Sequence, residues 1–146
     1  VAGPLLADPA LIPPPDLSAV TTERYRELLR IRRSSPVFGL PTADEVQRRL
    51  TFPLGGPGET PGVLVMCLDG TGLDPVWGRL TVVFNATAEP TVQTVAALGG
   101  VDLSLHPELV ESADPLLRTA TATAAADGAV LSVPARSVAV FVASLS

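Results

Sequence analysis

The hydrophobic period changes once along this chain, and the place where it changes sets the class of fold. In Leu17–Leu29 (Leu17, Val20, then Tyr25, Leu28 and Leu29) and again at Val46 and Leu50 apolar residues recur at separations of three and four, with one step of five from Val20 to Tyr25, which is the spacing of a helix face. Beyond Phe52 apolar and polar residues alternate, and clusters of glycine and proline cut the alternation into short runs. The expected fold is therefore mainly β: an antiparallel β-sandwich of about seven strands preceded by one long and one short α-helix.

The first helix is expected over Leu17–Arg33, with Asp16 as its cap, Glu23–Arg26 and Glu27–Arg30 pairs on its outer face, and Pro36 as its stop. Five prolines between positions 1 and 16 make the preceding stretch an extended lead-in. Thr42-Ala43-Asp44-Glu45 has the form of a capping box, so a short second helix is expected over 43–50. Strands are expected at Val63–Leu68, Arg79–Asn85, Thr91–Ala96, Val101–Leu105, Arg118–Thr123, Ala129–Val133 and Ser137–Val142. The last is apolar on both faces (Val138, Val140 and Val142 against Ala139 and Phe141) and should lie centrally, whereas the Thr/Ala stretch Thr119–Ala126 suits an edge. Asp127-Gly128 is a hairpin turn signal. The division expected is 1–16 lead-in, 17–52 helical segment and 53–146 β-sandwich.

A chain of 146 residues can bury a real core. Its 12 glycines and 15 prolines fall short of the roughly 25–30% that marks a disordered chain. Hydrophobic residues at 47% beside charged residues at 17% leave more apolar surface than a small solvated domain needs, which points to a further surface that covers some of it. The net charge is −5 and all 10 cations are arginine, so there is no basic excess for nucleic acid. The longest apolar runs, such as Val63–Leu68, are far below the ~18 residues of a membrane span. The opening Val1 and the absence of a charged and then apolar leader read as a piece of something longer.

Catalysis needs a nucleophile, an acid or base and an orienting group, and the inventory here is thin. His106 is the single histidine and Cys67 the single cysteine; together they supply two ligands where a metal site uses three or four. His106 reads as the end of a strand before Pro107, and Cys67 as a buried thiol in an apolar strand. The loop Gly55–Gly62 lacks the Lys-Ser/Thr ending of a phosphate loop and reads as a turn. Asp69-Gly70-Thr71-Gly72 has a glycine inside the Asp-Thr-Gly order of an aspartic protease, and no second copy accompanies it. The pairs Glu108 with Glu111 and Asp102 with Asp114 read as solvated surface rather than a glycosidase dyad. Asn85-Ala86-Thr87 has the form of a glycosylation acceptor but is explained by a strand ending in a capped turn. Trp77, expected in the loop between the first two strands, is the one candidate for glycan contact, since sugar rings stack on exposed aromatics.

Tyr25–Arg33 (YRELLRIRR) followed by Ser34-Ser35-Pro36-Val37-Phe38 resembles the last barrel helix and its exit in starch-acting enzymes of glycoside hydrolase family 13. The ordered set that follows is similar to the C-terminal end of pullulanase-type α-1,6-glucosidases: Thr42–Phe52 (TADEVQRRLTF), Gly56–Met66 (GPGETPGVLVM), Leu80–Asn85 (LTVVFN), Leu105-His106-Pro107, Ser112-Ala113-Asp114-Pro115 and Val133–Phe141 (VPARSVAVF). The resemblance covers residues 17–142. It implies an antiparallel sandwich packed on a (β/α)₈ barrel in a starch-debranching parent that hydrolyses α-1,6 linkages of pullulan and starch-derived dextrins. The family's catalytic carboxylates lie on upstream barrel strands, and no motif carrying them matches a position here.

The expected role is structural: a non-catalytic domain that packs on and stabilises the barrel of the same polypeptide, with Tyr25, Leu28 and Leu29 as the helix contact. No catalytic residue, metal or cofactor is implied for the chain itself; the α-glucan is the parent's substrate. The alternative is a carbohydrate-binding module docking the enzyme on α-glucan, against which the 4% aromatic content argues. An independent Ig-like interaction module would leave the ordered motifs unexplained. A chain without lysine and rich in Ala, Val, Pro and Arg suggests a high-GC bacterial source, with a secreted parent favoured.

Overall fold

The computed structural model describes residues 3, 8–56 and 59–145. Six residues of the expected lead-in (1, 2 and 4–7) and part of the expected glycine-rich loop (57 and 58) lie outside the described residues.

The long helix α1 spans Pro15–Ser34. Asp16 is not its cap: Pro14 holds that position, Pro15 opens the first turn, and Asp16 adds a favourable charge inside that turn. Residues 9–11, expected to be extended, make one 3-10 turn. A 3-10 turn at Pro36–Gly39 follows α1, and α2 spans Ala43–Arg49. Thr42 Oγ1 accepts the Glu45 amide hydrogen at 3.2 Å as expected, but the Glu45 carboxylate turns to Arg48 and Arg49 rather than closing the capping box.

Eight strands follow among the described residues: β1 (Leu50–Thr51), β2 (Val63–Asp69), β3 (Trp77–Asn85), β4 (Thr91–Val95), β5 (Ser104–Leu105), β6 (Thr121–Ala125), β7 (Gly128–Val133) and β8 (Ser137–Ser144). A third short helix, α3, occupies Pro107–Val110 between β5 and β6. The strands form two antiparallel sheets, one ordered β1-β2-β3-β8-β5 and the other β4-β7-β6. β8 runs between β3 and β5, the inside place its two apolar faces require, and the Thr/Ala strand β6 is an edge. β1 is an addition, because its two residues were expected to belong to a helix end and the loop after it. The expected strand Val101–Leu105 shrinks to β5, since Val101 is engaged in a turn through its bond to the Leu98 carbonyl. Arg118 and Thr119 form a 3-10 turn instead of strand. The hairpin loop is Ala126-Asp127, one residue earlier than expected, and Gly128 opens β7 with φ 150°.

The larger sheet has a layer on each side. Residues of β2, β3 and β8 that point one way, among them Val65, Val83, Ala139 and Phe141, meet the smaller sheet's Leu131 and Val133 in the buried core. Fully burying a ring such as Phe141 contributes about 2–3 kcal/mol. Residues pointing the other way (Leu68, Leu80, Val82, Val140 and Val142) are also buried, under Ile31 of α1 and Val37 of the turn that follows it. The helical segment therefore covers the outer face of the five-stranded sheet, and one continuous apolar cluster runs through all three layers.

Candidate functional site

The seam between α1 and the sandwich is built from buried polar groups. Glu27 is 3% exposed, and such a carboxylate is tolerable only when its oxygens are occupied. Oε1 accepts the Ala113 amide hydrogen at 2.6 Å, and Oε2 accepts from Ser112 Oγ at 2.9 Å and from the Arg24 guanidinium one helical turn away. Arg24 also donates to Ser112 Oγ at 3.0 Å. Burial alone would raise the Glu27 carboxyl, but the Ala113 amide, the Ser112 hydroxyl and Arg24 together outweigh it and hold the group below its ordinary value.

Further along, Ser34 Oγ lies 3.0 Å from His106 Nε2, and Arg30 Nε donates to Glu108 at 2.6 Å. Glu27 and Arg30, expected to pair with each other, thus each take a different partner; the Glu23–Arg26 pair forms as expected. Buried Ser35 donates to the buried Asp74 carboxylate, whose other oxygen accepts the Val76 and Trp77 amides at 2.8 and 2.9 Å. Arg49 at the end of α2 donates to the Asp69 and Thr71 carbonyls at 3.0 and 2.8 Å. The helical segment is held to the sandwich through side chains that sequence spacing does not connect.

Beside this pinned stripe runs an open one. Tyr25, Leu28 and Leu29 are 66%, 37% and 43% exposed, whereas Glu27 and Ile31 are the α1 residues buried against this chain's own sandwich. Leu28 forms one wall of a groove of about 590 Å³ with Val20, Phe84 and Val138. One turn later Arg32 enters a second groove of about 370 Å³, with Phe38, Val46 and Met66. Both grooves lie on the helix-covered side of the larger sheet. They make a largely apolar surface to which sequence reasoning contributed Leu28 but not Phe84, Val46 or Met66.

The other candidate residues are accounted for locally. Asn85, 2% exposed, donates from Nδ2 to the Glu89 and Pro134 carbonyls at 2.8 and 2.9 Å and accepts from the Thr87 amide and hydroxyl, so its amide is a buried clamp. Cys67 faces Thr81 inside the core, and burial pushes its thiol up. Asp69 accepts the Thr71 amide hydrogen at 2.9 Å; burial opposes its charge, but Thr71, Arg79 and Arg49 hold the carboxyl below its ordinary range, the reverse of a proton donor. Trp77 opens β3 rather than standing in a loop, half-buried with its ring 6.1 Å from that of His106. Among the described residues no three His, Cys, Asp or Glu gather as metal ligands, and no helix is long and apolar enough to cross a membrane.

Comparison with known proteins agrees with this architecture. The family model described as "Alpha-1,6-glucosidases, pullulanase-type, C-terminal" matches residues 1–144. The chain is 36% identical to chloroplastic pullulanase 1 of Arabidopsis thaliana over 97% of its own length and 15% of that protein's. It is 35% identical to the pullulanase of Klebsiella pneumoniae, covering 82% of the chain and 11% of the relative. Among solved structures, PulA of Klebsiella oxytoca superposes with a TM-score of 0.72 and 30% identity, over 88% of this chain and 12% of that one. The chain spans less than a sixth of the length of each of these relatives.

Proposed function

Because the chain belongs to the family of C-terminal regions of pullulanase-type α-1,6-glucosidases, we propose that it is the non-catalytic end of a starch-debranching enzyme and that its work is to hold the catalytic barrel. In this reading residues 17–52 complete the barrel's last helix and its exit, and residues 53–146 form the sandwich that supports it. Tyr25, Leu28 and Leu29 face the barrel, and the cleaved bond is the α-1,6 linkage of pullulan and starch-derived dextrins. We place the source in a high-GC bacterium on composition; the relatives include a bacterial and a plant protein.

One observation carries the reading. A single helix is pinned on one stripe to the sandwich by a buried, fully satisfied carboxylate and leaves its adjoining stripe apolar and open. A helix that needed only the sandwich would be polar there. The stripe and the two grooves beside it form a surface of the kind that packing against a second body covers.

The test is a paired assay of pullulan hydrolysis and pullulan binding, with this chain alone and with the upstream barrel restored. Hydrolysis only in the restored polypeptide, with no binding by the chain alone, supports the structural role. Pullulan binding by the chain alone, lost on substitution of Trp77, replaces it with the binding-module reading.

A further inference from the structure

His106 stands at the corner where the C-terminal end of α1 meets the sandwich, and two of the ties there, those of Ser34 and Arg30, depend on it, while the Ser35–Asp74 bond beside them does not. The ring is 3% exposed. Its Nδ1 accepts the Glu108 amide hydrogen at 3.2 Å and so caps α3. An amide N–H only donates, so Nδ1 is bare and the neutral ring carries its hydrogen on Nε2. Nε2 lies 3.0 Å from Ser34 Oγ, which gives its own hydrogen to the Ile31 carbonyl at 2.7 Å. The helix that His106 caps presents Glu108 to Arg30. α1 is therefore tied to the corner directly through Ser34 and indirectly through Arg30.

The surroundings favour the neutral ring. Ser34 faces it from α1, the tilted Trp77 ring from β3, and the Val140 carbonyl of β8 takes its backbone hydrogen. Burial disfavours the cation; the Glu108 carboxylate, itself held by Arg30, favours it less strongly, and the imidazole is held below its ordinary value.

We propose that His106 is an acid-operated latch whose protonation releases Ser34 and Arg30, in the last turns of α1, from the His106–α3 corner, while Ser35 stays held by Asp74. The proton, taken from solvent, goes to Nδ1, where two hydrogens then confront each other at the Glu108 amide. The cap of α3 is lost, and with it the placement of Glu108 against Arg30. The latched form has the lower affinity for the proton, and the open form titrates near the ordinary imidazole value of about 6.5. Opening thus becomes easier as pH falls below that value, by up to about tenfold per pH unit, and levels off below the depressed value of the latched form. Glu27 stays ionised through that interval, so its tie to Ala113 persists, and with Ser35 still held by Asp74 only the Ser34 and Arg30 ties let go.

Hydrogen exchange of the full 146-residue chain, followed by mass spectrometry from pH 7.5 to 4.5 and corrected for intrinsic rates, tests the latch. Segments 29–34 and 105–111 are expected to speed up by as much as about tenfold per unit below pH 6.5 while β3 does not. His106→Asn, which keeps a cap oxygen but takes no proton, should lack that rise. A flat profile in the wild type, or the same rise in His106→Asn, overturns the proposal. If the variant does not fold, the NMR titration of the chain's one histidine decides: a ring titrating at its ordinary value contradicts the latch, and one titrating below it in step with the faster exchange supports it.

Discussion

The carboxylate of Glu27 on the long helix accepts the backbone hydrogen of Ala113 at 2.6 Å, across 86 positions of sequence. With Ser112 and Arg24 it closes a buried network in which every oxygen is used. Glu27→Gln keeps the shape, but its amide presents hydrogens to at least one of these donors. The expected cost is about 2–4 kcal/mol, read from the denaturant midpoint at pH 7. A change under about 0.5 kcal/mol, the size of an ordinary surface substitution, would mean that the network does not hold the seam.

The same residue sets an acid limb. Its folded carboxyl lies below its unfolded value of 4.5, so its stabilisation is complete above that value and is lost as pH falls through the depressed folded value. Denaturant midpoints between pH 6 and pH 2.5 should decline in the wild type and decline less steeply in Glu27→Gln. Parallel curves would assign the acid limb to other carboxylates.

Gly70 has no room for a side chain: a Cβ there would lie 2.0 Å from the Trp77 carbonyl oxygen. Its own carbonyl accepts the Asp74 amide at 2.8 Å, so the loop that places Asp74 against Ser35 turns on this residue. Gly70→Ala should cost at least about 3 kcal/mol and lower the melting temperature accordingly. Gly72→Ala meets no atom within 4 Å, and its φ of 71° makes it a control for backbone strain alone.

Asn85 is expected to carry no glycan when the chain is made in a glycosylating host, because its amide hydrogens already bond the Glu89 and Pro134 carbonyls. Intact mass before and after glycosidase treatment reads this directly. A mass loss assigned to Asn85 would show that the turn opens.

Leu28 lines the larger groove with Phe84. If the barrel covers it, Leu28→Ala in the complete polypeptide should cost about 2–5 kcal/mol. Unchanged stability there would remove Leu28 from the contact.

The change of hydrophobic period made the fold class legible, and alternation located β2, β3, β4, β7 and β8 to within two residues but began β6 three residues early. Thr42 was readable as a cap because the motif is local. The two-residue strands β1 and β5 were not, since pairing with a neighbour rather than their own sequence makes them strands. The seam was hidden for a related reason. Glu27 sits three residues from Arg30 and has every mark of a solvated pair, whereas its true partners at 112 and 113 are chosen by how the chain returns. Periodicity showed that Leu28 and its neighbours belong to an apolar stripe, but it carried no information on whether this chain's own sandwich covers that stripe.

Hydroxyl-radical footprinting of the complete polypeptide tests most directly whether α1 is shared between sandwich and barrel. In this chain Tyr25 and Leu28 are 66% and 37% exposed, beside 63% for each of the sandwich residues Val92 and Leu116. Normalised for intrinsic reactivity, Tyr25 and Leu28 should be strongly protected in the complete polypeptide while Val92 and Leu116 label freely. Labelling of Tyr25 and Leu28 at the level their exposure here implies would contradict the shared helix.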